Sequence, residues 1–258
     1  MQNFIRYLLV ALPLLSSLDA QKSAPAYNGP KEKLHIYLLI GQSNMAGRAP
    51  FTQEEAGVID RVYLLNNSDQ WEPAKNPLNR YSTIRKGLGM QKMNPGYTFS
   101  QSMLKDDCNV SIGLIVNAKG GSSIKQWAKG TKFYDDAIRR TKGAMETGVL
   151  KGVLWHQGES DAKDSEYLEK LKLFIQNLRS DLGINDLPFI AGQVNNVPLI
   201  NEQVAKLPDA VESTSFVHSE GLKCMDRWHF DAKSMKLLGQ RYADEMKNVQ
   251  KKQESESK

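Results

Sequence analysis

LHIYLLIGQSNMAG, residues 34–47, opens as an unbroken apolar run and breaks into a turn of small residues carrying a serine, an asparagine and two glycines. The run Leu34 to Ile40, rich in β-branched and aliphatic side chains, reads as a buried strand. The turn has two readings. Gly, Ser and Asn serve strand-to-helix turns and helix N-caps for conformational reasons alone. Alternatively, the strand ends there in order to present the hydroxyl of Ser43. The remainder of the chain has to decide between them.

Outward from this stretch, apolar runs of similar length alternate with longer patterns of helical spacing. Strands are expected over Leu34 to Ile40, Val62 to Asn66, Val110 to Val116, Gly152 to Trp155, Phe189 to Val194 and Thr214 to Val217. Helices are expected over Tyr97 to Leu104, Tyr134 to Thr147, Ser165 to Leu182 and Ala232 to Asn248. In the third helix Tyr167, Leu168, Leu171, Phe174, Ile175 and Leu178 recur at helical spacing with charges between them, which marks a core-facing stripe. Strands alternating with helices imply parallel pairing through right-handed crossovers, hence a three-layer α/β/α sandwich with a parallel sheet. In such sheets the functional residues gather on loops at the carboxyl ends of the strands.

The unusual segments of this chain fall at such places. NAKGGSSIKQW, residues 117–127, follows one strand, HQGESD, residues 156–161, follows another, and DRWHFD, residues 226–231, precedes the last helix. Acyl transfer explains the combination. A serine hydroxyl becomes an effective nucleophile when an imidazole takes its proton, and the imidazole needs a carboxylate to fix its tautomer. Asp226 and His229, three residues apart across a turn, supply that pair and leave the second ring nitrogen for Ser43. D-x-x-H is a weak signal alone, since a histidine near a helix start is commonly structural. The oxyanion needs donors fixed in advance. Backbone N–H groups of Ser43 and of Gly121 or Gly120 would supply two, and the side-chain amide of Gln157 a third. Glu159 is a candidate support for the Ser43 turn, whereas Asp161 fits the first turn of the following helix. Trp127, Trp155 and Trp228 lie beside the motifs and are candidates either for stacking on a sugar face or for the core. A metal site built from His156, Glu159, His229 and Asp231 would need ligands drawn from two loops with no recognised spacing.

In this order, IGQSNMAG, AKGGSSIKQW, WHQGESD and DRWHFD resemble the SGNH-type hydrolases, and more closely the sialate O-acetylesterase and carbohydrate esterase family 6 group, which includes acetylxylan esterases. The resemblance spans about Leu34 to Met246. It implies a flavodoxin-like fold, Ser43 as nucleophile, His229 as base, Asp226 as its partner, an oxyanion hole from Ser43, Gly120, Gly121 and Gln157, and neither metal nor other cofactor. The wider superfamily has asparagine in the third segment where this chain has Gln157. The implied activity is removal of O-acetyl groups from sugars, with acetylated xylan and O-acetylated sialic acid as the two candidate substrates. A non-catalytic carbohydrate-binding protein, or an esterase of lipids or thioesters, are the competing readings; no long apolar lid segment is evident for lipids.

The chain as a whole sets the bounds. Its 258 residues, 40% hydrophobic and 24% charged, fit one soluble α/β domain. The net charge of +5 comes partly from scattered lysines, with no basic stripe interleaved with aromatics, so nucleic-acid binding is unsupported. Residues 1–20 combine Arg6, an apolar run too short to cross a bilayer core of about 30 Å, and a small-residue end, the pattern of a signal peptide cleaved after Ala20 or Ala26. Export to the periplasm or medium with no stable membrane anchor is therefore expected, followed by a lead-in over 21–33, an esterase domain over 34–248 and a solvated charged tail over 249–258. Cys108 and Cys224 allow one disulfide without fixing whether they meet.

Overall fold

The computed structural model describes residues 26–256, so the leader expected over 1–20 lies outside the described residues. Its centre is β1, Leu34–Gly41. Successive side chains of a strand point to opposite faces. Leu34, Ile36, Leu38 and Ile40 therefore enter one apolar core while Tyr37 and Leu39 enter another. The first core is closed by α3, Lys132–Ala144, α4, Tyr167–Leu182, and α5, Pro198–Ala205. The second is closed by α2, Gly96–Met103, and α7, Ala232–Glu256. A strand apolar on both sides needs cover on both sides, and the result is the three-layer sandwich.

The other strands are β2, Val58–Leu65, β3, Trp71–Lys75, β4, Ser111–Val116, β5, Val149–His156, β6, Phe189–Gly192, and β7, Thr214–Val217. They line up as β3-β2-β4-β1-β5-β6-β7. All neighbours are parallel except β2 and β3. The chain runs from β1 out to β2 and the edge strand β3, returns to insert β4 between β2 and β1, and then builds the other side through β5, β6 and β7. The loops leaving β1, β4 and β5 therefore flank the point where the strand order reverses, the place such sheets bind ligands. Parallel register carries Leu39 opposite Val116 and Gly41 opposite His156, which brings the three loops to one edge.

Three features depart from the sequence expectation. β2 begins at Val58 and folds back as a hairpin into the unanticipated β3. The turn is held by Asn66 Oδ1, which accepts the N–H groups of Ser68 and Gln70 at 2.9 and 3.1 Å. Pro73 is tolerated because β3 is an edge strand. Between β6 and β7 the chain forms α5 and the single turn α6, Leu207–Ala210, each with a proline in its first turn. The expected tail is also helical: α7 continues through Glu256, because Glu, Lys and Gln are good helix formers. Val249 there extends the buried stripe of Met235, Leu238, Tyr242 and Met246. No described helix is long and apolar enough to cross a membrane. Both thiols are free, Cys108 exposed and Cys224 half-buried.

Candidate active site

β1 ends on Gly41 at φ +136°, where a Cβ would collide with the backbone of His156 at the end of β5. Gln42 N–H donates to the His156 carbonyl at 2.8 Å, and Ser43 opens the single helical turn α1, Ser43–Ala46. The strand thus stops abruptly and leaves the Ser43 side chain on the wall of a cleft of about 350 Å³ that His229, Gly120, Gly121 and Glu159 also line. The Ser43 hydroxyl has no hydrogen-bond partner among the described residues.

The segment carrying His229 is a pinched loop between β7 and α7, closed by a bridge between Cys224 and Phe230. Asp226 organises it from within. Its Oδ1 accepts the N–H groups of Trp228 and His229, each at 2.8 Å, and its Oδ2 lies 2.7 Å from His229 Nδ1. One carboxylate therefore builds the turn and orients the ring, which leaves Nε2 for the cleft. Burial alone would raise the Asp226 carboxyl, but the bonds from His229 and the two N–H groups outweigh it and hold the group down at about 2. Asp226 is therefore ionised across the neutral range.

Asn44, fully buried beside Ser43, locks this loop to the Ser43 turn. Its Nδ2 donates to the Trp228 carbonyl at 3.0 Å, and its Oδ1 accepts the Phe230 N–H at 3.3 Å, so it grips the backbone on either side of His229. The same Nδ2 donates to Glu159 Oε1 at 3.1 Å. Glu159 thereby reaches the residue next to Ser43, while its Oε2 is buried without a partner among the described residues. Burial drives this carboxyl up to about 7, against the Asn44 bond that lowers it.

The loop after β4 brings Gly120 and Gly121, the latter at φ +76°, to the rim of the cleft. The N–H groups of Ser43, Gly120 and Gly121 have no acceptor among the described residues. Arg48 backs this loop: its Nη1 donates to the carbonyls of Gly47 and Met90 at 2.8 Å, and a Cβ on Gly120 would meet its Nη2 at 2.6 Å. Lys86 Nζ lies beside Gly121. Neither cation has a carboxylate within ion-pair distance among the described residues.

Gln157 does not join this wall. It is fully buried, and its Nε2 is committed to Gln42 Oε1, the Ser122 carbonyl and Asp161 Oδ2. Its amide protons are therefore unavailable to an oxyanion. Asp161 likewise does not belong to the next helix, which starts only at Tyr167. Its Oδ2 accepts from Ile124 N–H at 2.8 Å and from Gln157 Nε2, tying the loops after β4 and β5 together. Trp127 and Trp155 are wholly buried and pack edge to face at 5.5 Å, so they are core; Trp228 alone of the three lines the cleft, with Arg227 stacked 4.5 Å over its ring. His156 is buried with Nδ1 3.0 Å from Tyr242 Oη, and Asp231 Oδ1 accepts the Ser234 N–H at the start of α7. Asn44, Gln42, Arg48 and Lys86 were not singled out by the sequence, although Gln42 and Asn44 flank Ser43 and adjacency was an available signal.

A family model described as carbohydrate esterase, sialic acid-specific acetylesterase, matches residues 33–248. An Arabidopsis thaliana protein described as a probable carbohydrate esterase is 32% identical over 196 residues, which is 67% of this chain and 74% of that protein. Its crystal structure superposes with a TM-score of 0.75 at 27% identity, over 84% of this chain and 98% of the other. NanS superposes with a TM-score of 0.71 at 15% identity, over 88% and 100% of the two chains. A carbohydrate acetylesterase from Xanthomonas citri gives 0.61 at 20% identity, over 83% and 56%. The last two are likenesses of fold.

Proposed function

We infer that this chain, which belongs to the carbohydrate esterase family of sialic acid-specific acetylesterases, is a serine acetylesterase that removes O-acetyl groups from an acidic sugar. The observation that carries the reading is the convergence of Ser43 and the Asp226-held ring of His229 on one cleft whose rim offers unpartnered N–H groups. Ser43 Oγ attacks the acetyl carbonyl while His229 Nε2 takes its proton, and the oxyanion lies against the N–H groups of Ser43 and the Gly120–Gly121 loop. Collapse expels the sugar oxygen, which takes the proton back from His229. Water activated by the same ring then releases acetate and restores Ser43. Ser43 and His229 face the same cleft without a direct hydrogen bond, and catalytic hydrogen bonds commonly tighten only around a bound substrate.

Arg48 and Lys86 support the acidic sugar over neutral xylan. Two cations without carboxylate partners beside the oxyanion loop suit a substrate carboxylate. Glu159, the one acidic residue lining the cleft among the described residues, is itself held neutral up to about pH 7. Export remains part of the proposal, resting on residues 1–20 alone.

The test is acetate release by wild type and Ser43→Ala, from O-acetylated sialic acid and from acetylated xylan. The expected result is a higher kcat/KM on the sialate ester, and loss of at least about a thousandfold in Ser43→Ala with an unchanged melting temperature. Preference for xylan would overturn the acidic-sugar reading. Sugar binding without any turnover would favour a carbohydrate-binding protein.

A further inference from the structure

In an acetylesterase reaction the departing sugar is the group that must meet the base. When the tetrahedral intermediate collapses, His229 Nε2 hands its proton to the sugar oxygen, so that oxygen lies at hydrogen-bond distance from the imidazole and the sugar ring begins a bond or two beyond it. The side chains beside His229 therefore face the sugar. Its neighbour in the chain is Trp228, which apart from His229 is the one ring lining the cleft among the described residues. Over that indole stands Arg227, its Cζ 4.5 Å from the ring centroid.

The backbone of these two residues is held from several sides. Trp228 N–H donates to Asp226 Oδ1 at 2.8 Å, the Trp228 carbonyl accepts from Asn44 Nδ2 at 3.0 Å, and the Arg227 carbonyl accepts from Asn195 Nδ2, in the loop after β6, at 2.9 Å. Their side chains, in contrast, have idle polar ends. Neither the indole N–H nor the guanidinium has a hydrogen-bond acceptor or a carboxylate partner among the described residues. Arg140 and Arg179 are different, each being committed to several backbone carbonyls inside the fold. A guanidinium stacked on an indole is a planar, weakly hydrated surface with donors along its edges. A pyranose offers the complement, an apolar C–H face rimmed by hydroxyl oxygens.

We propose that the Arg227–Trp228 stack is the subsite for the departing sugar, with Trp228 packing on its C–H face and Arg227 donating to hydroxyl oxygens at its rim. The proposal rests on the serine acetylesterase reading. It makes these two residues determinants of which alcohol is released, whereas Arg48 and Lys86, on the Gly120–Gly121 side, answer to the charge the sugar carries. Because Asp226 orients His229 and also takes the Trp228 N–H, the base and the sugar platform are placed by one carboxylate.

Two acetate esters that differ in the leaving alcohol test this: O-acetylated sialic acid, and trifluoroethyl acetate, whose alcohol has no ring to stack and no hydroxyl rim. The readout is the ratio of kcat/KM for the sugar ester to that for the small ester. In Trp228→Leu this ratio is expected to fall about tenfold or more, carried mainly by KM, and Trp228→Phe should restore it to within about threefold. Arg227→Gln should lower it by about threefold to tenfold. Deacetylated sialic acid, added as a competitive inhibitor of trifluoroethyl acetate hydrolysis, should bind more weakly to both variants by similar factors. If Trp228→Leu lowers kcat/KM for the two esters equally, Trp228 serves only to hold the His229 loop and the proposal is overturned. Melting temperatures show whether Trp228→Leu folds; should it not, Arg227→Gln, which alters an exposed side chain, decides in its place, and a ratio within about twofold of wild type overturns the proposal. If wild type hydrolyses neither ester faster than Ser43→Ala, the acetylesterase reading falls and this one with it.

Discussion

Glu159 shows how one carboxyl can be both necessary and costly. Its Oε1 holds Asn44, and through Asn44 the backbone on both sides of His229, while its Oε2 is shut away from water without a partner. Its proton is therefore retained to about pH 7 instead of the ordinary 4.5. Linkage then fixes the sign. Between these two values the folded protein holds a proton that the unfolded chain has lost, so this group makes stability fall as pH rises through that window and level off above it. Glu159→Gln, neutral at every pH and still able to accept from Asn44, removes the effect. The variant is expected to match wild type near pH 4.5 and to exceed it by about 1–3 kcal/mol at pH 8. Denaturant titrations at the two pH values measure this; an equal difference at both would show that Glu159 does not titrate in the window. Asn44 was missed in the sequence for a related reason. A buried asparagine is informative only through its partners, and Trp228 and Phe230 lie far from it along the chain.

At the scale of elements, the join between β1 and β5 decides where Ser43 stands. Gly41 lies at φ +136° against the backbone of His156, a conformation and a clearance open to glycine alone. Gly41→Ala is expected to destabilise the fold by more than about 3 kcal/mol, since strain and a backbone collision act together. A loss of less than about 1 kcal/mol in denaturant titration would mean that the two strands can part at little cost. Strands buried on both faces were legible, because an apolar run bounded by turn residues has few other uses. The edge strand β3 was not, since Trp71–Lys75 carries Glu72, Pro73 and Lys75 and has only one neighbour to satisfy. In sequence the last turns of α7 look like a solvated tail, because charge dominates them. Only the packing of Val249 in line with Met246 shows that the stripe goes on.

Over the whole molecule, the net charge of +5 is modest, and its placement matters more than its size. Arg48 and Lys86 bring unpaired positive charge to the one edge of the sheet where the loops after β1, β4 and β5 meet. Attraction between such a cleft and an acidic sugar weakens as salt shortens the Debye length from about 10 Å at 0.1 M to about 3 Å at 1 M. kcat/KM for an O-acetylated acidic sugar is therefore expected to fall several-fold across that range, while that for a neutral aryl acetate stays within about twofold. The replacement of both Arg48 and Lys86 by Gln should abolish the difference. Equal salt dependence for the two substrates would remove charge from the account of specificity.

The sequence by itself determined the layers and the edge on which the chemistry lies, because alternation of apolar strands with amphipathic helices admits parallel crossovers and parallel strands end together. It also determined the Asp226–His229 pairing, which is local: three residues and one turn bring the carboxylate to the ring. Only the tertiary structure decided which amide faces the cleft. Gln42 and Gln157 are chemically identical and both sit in polar, glycine-rich segments. Their roles separate because Ser122 from the loop after β4, with Asp161 and Tyr167 nearer in the chain, takes up the hydrogen-bonding atoms of Gln157, and Gly158 and Ser160 orient Gln42 from the loop after β5. Hydrogen-bond capacity is spent between segments distant in sequence, so no pattern along the chain records which donor is left free.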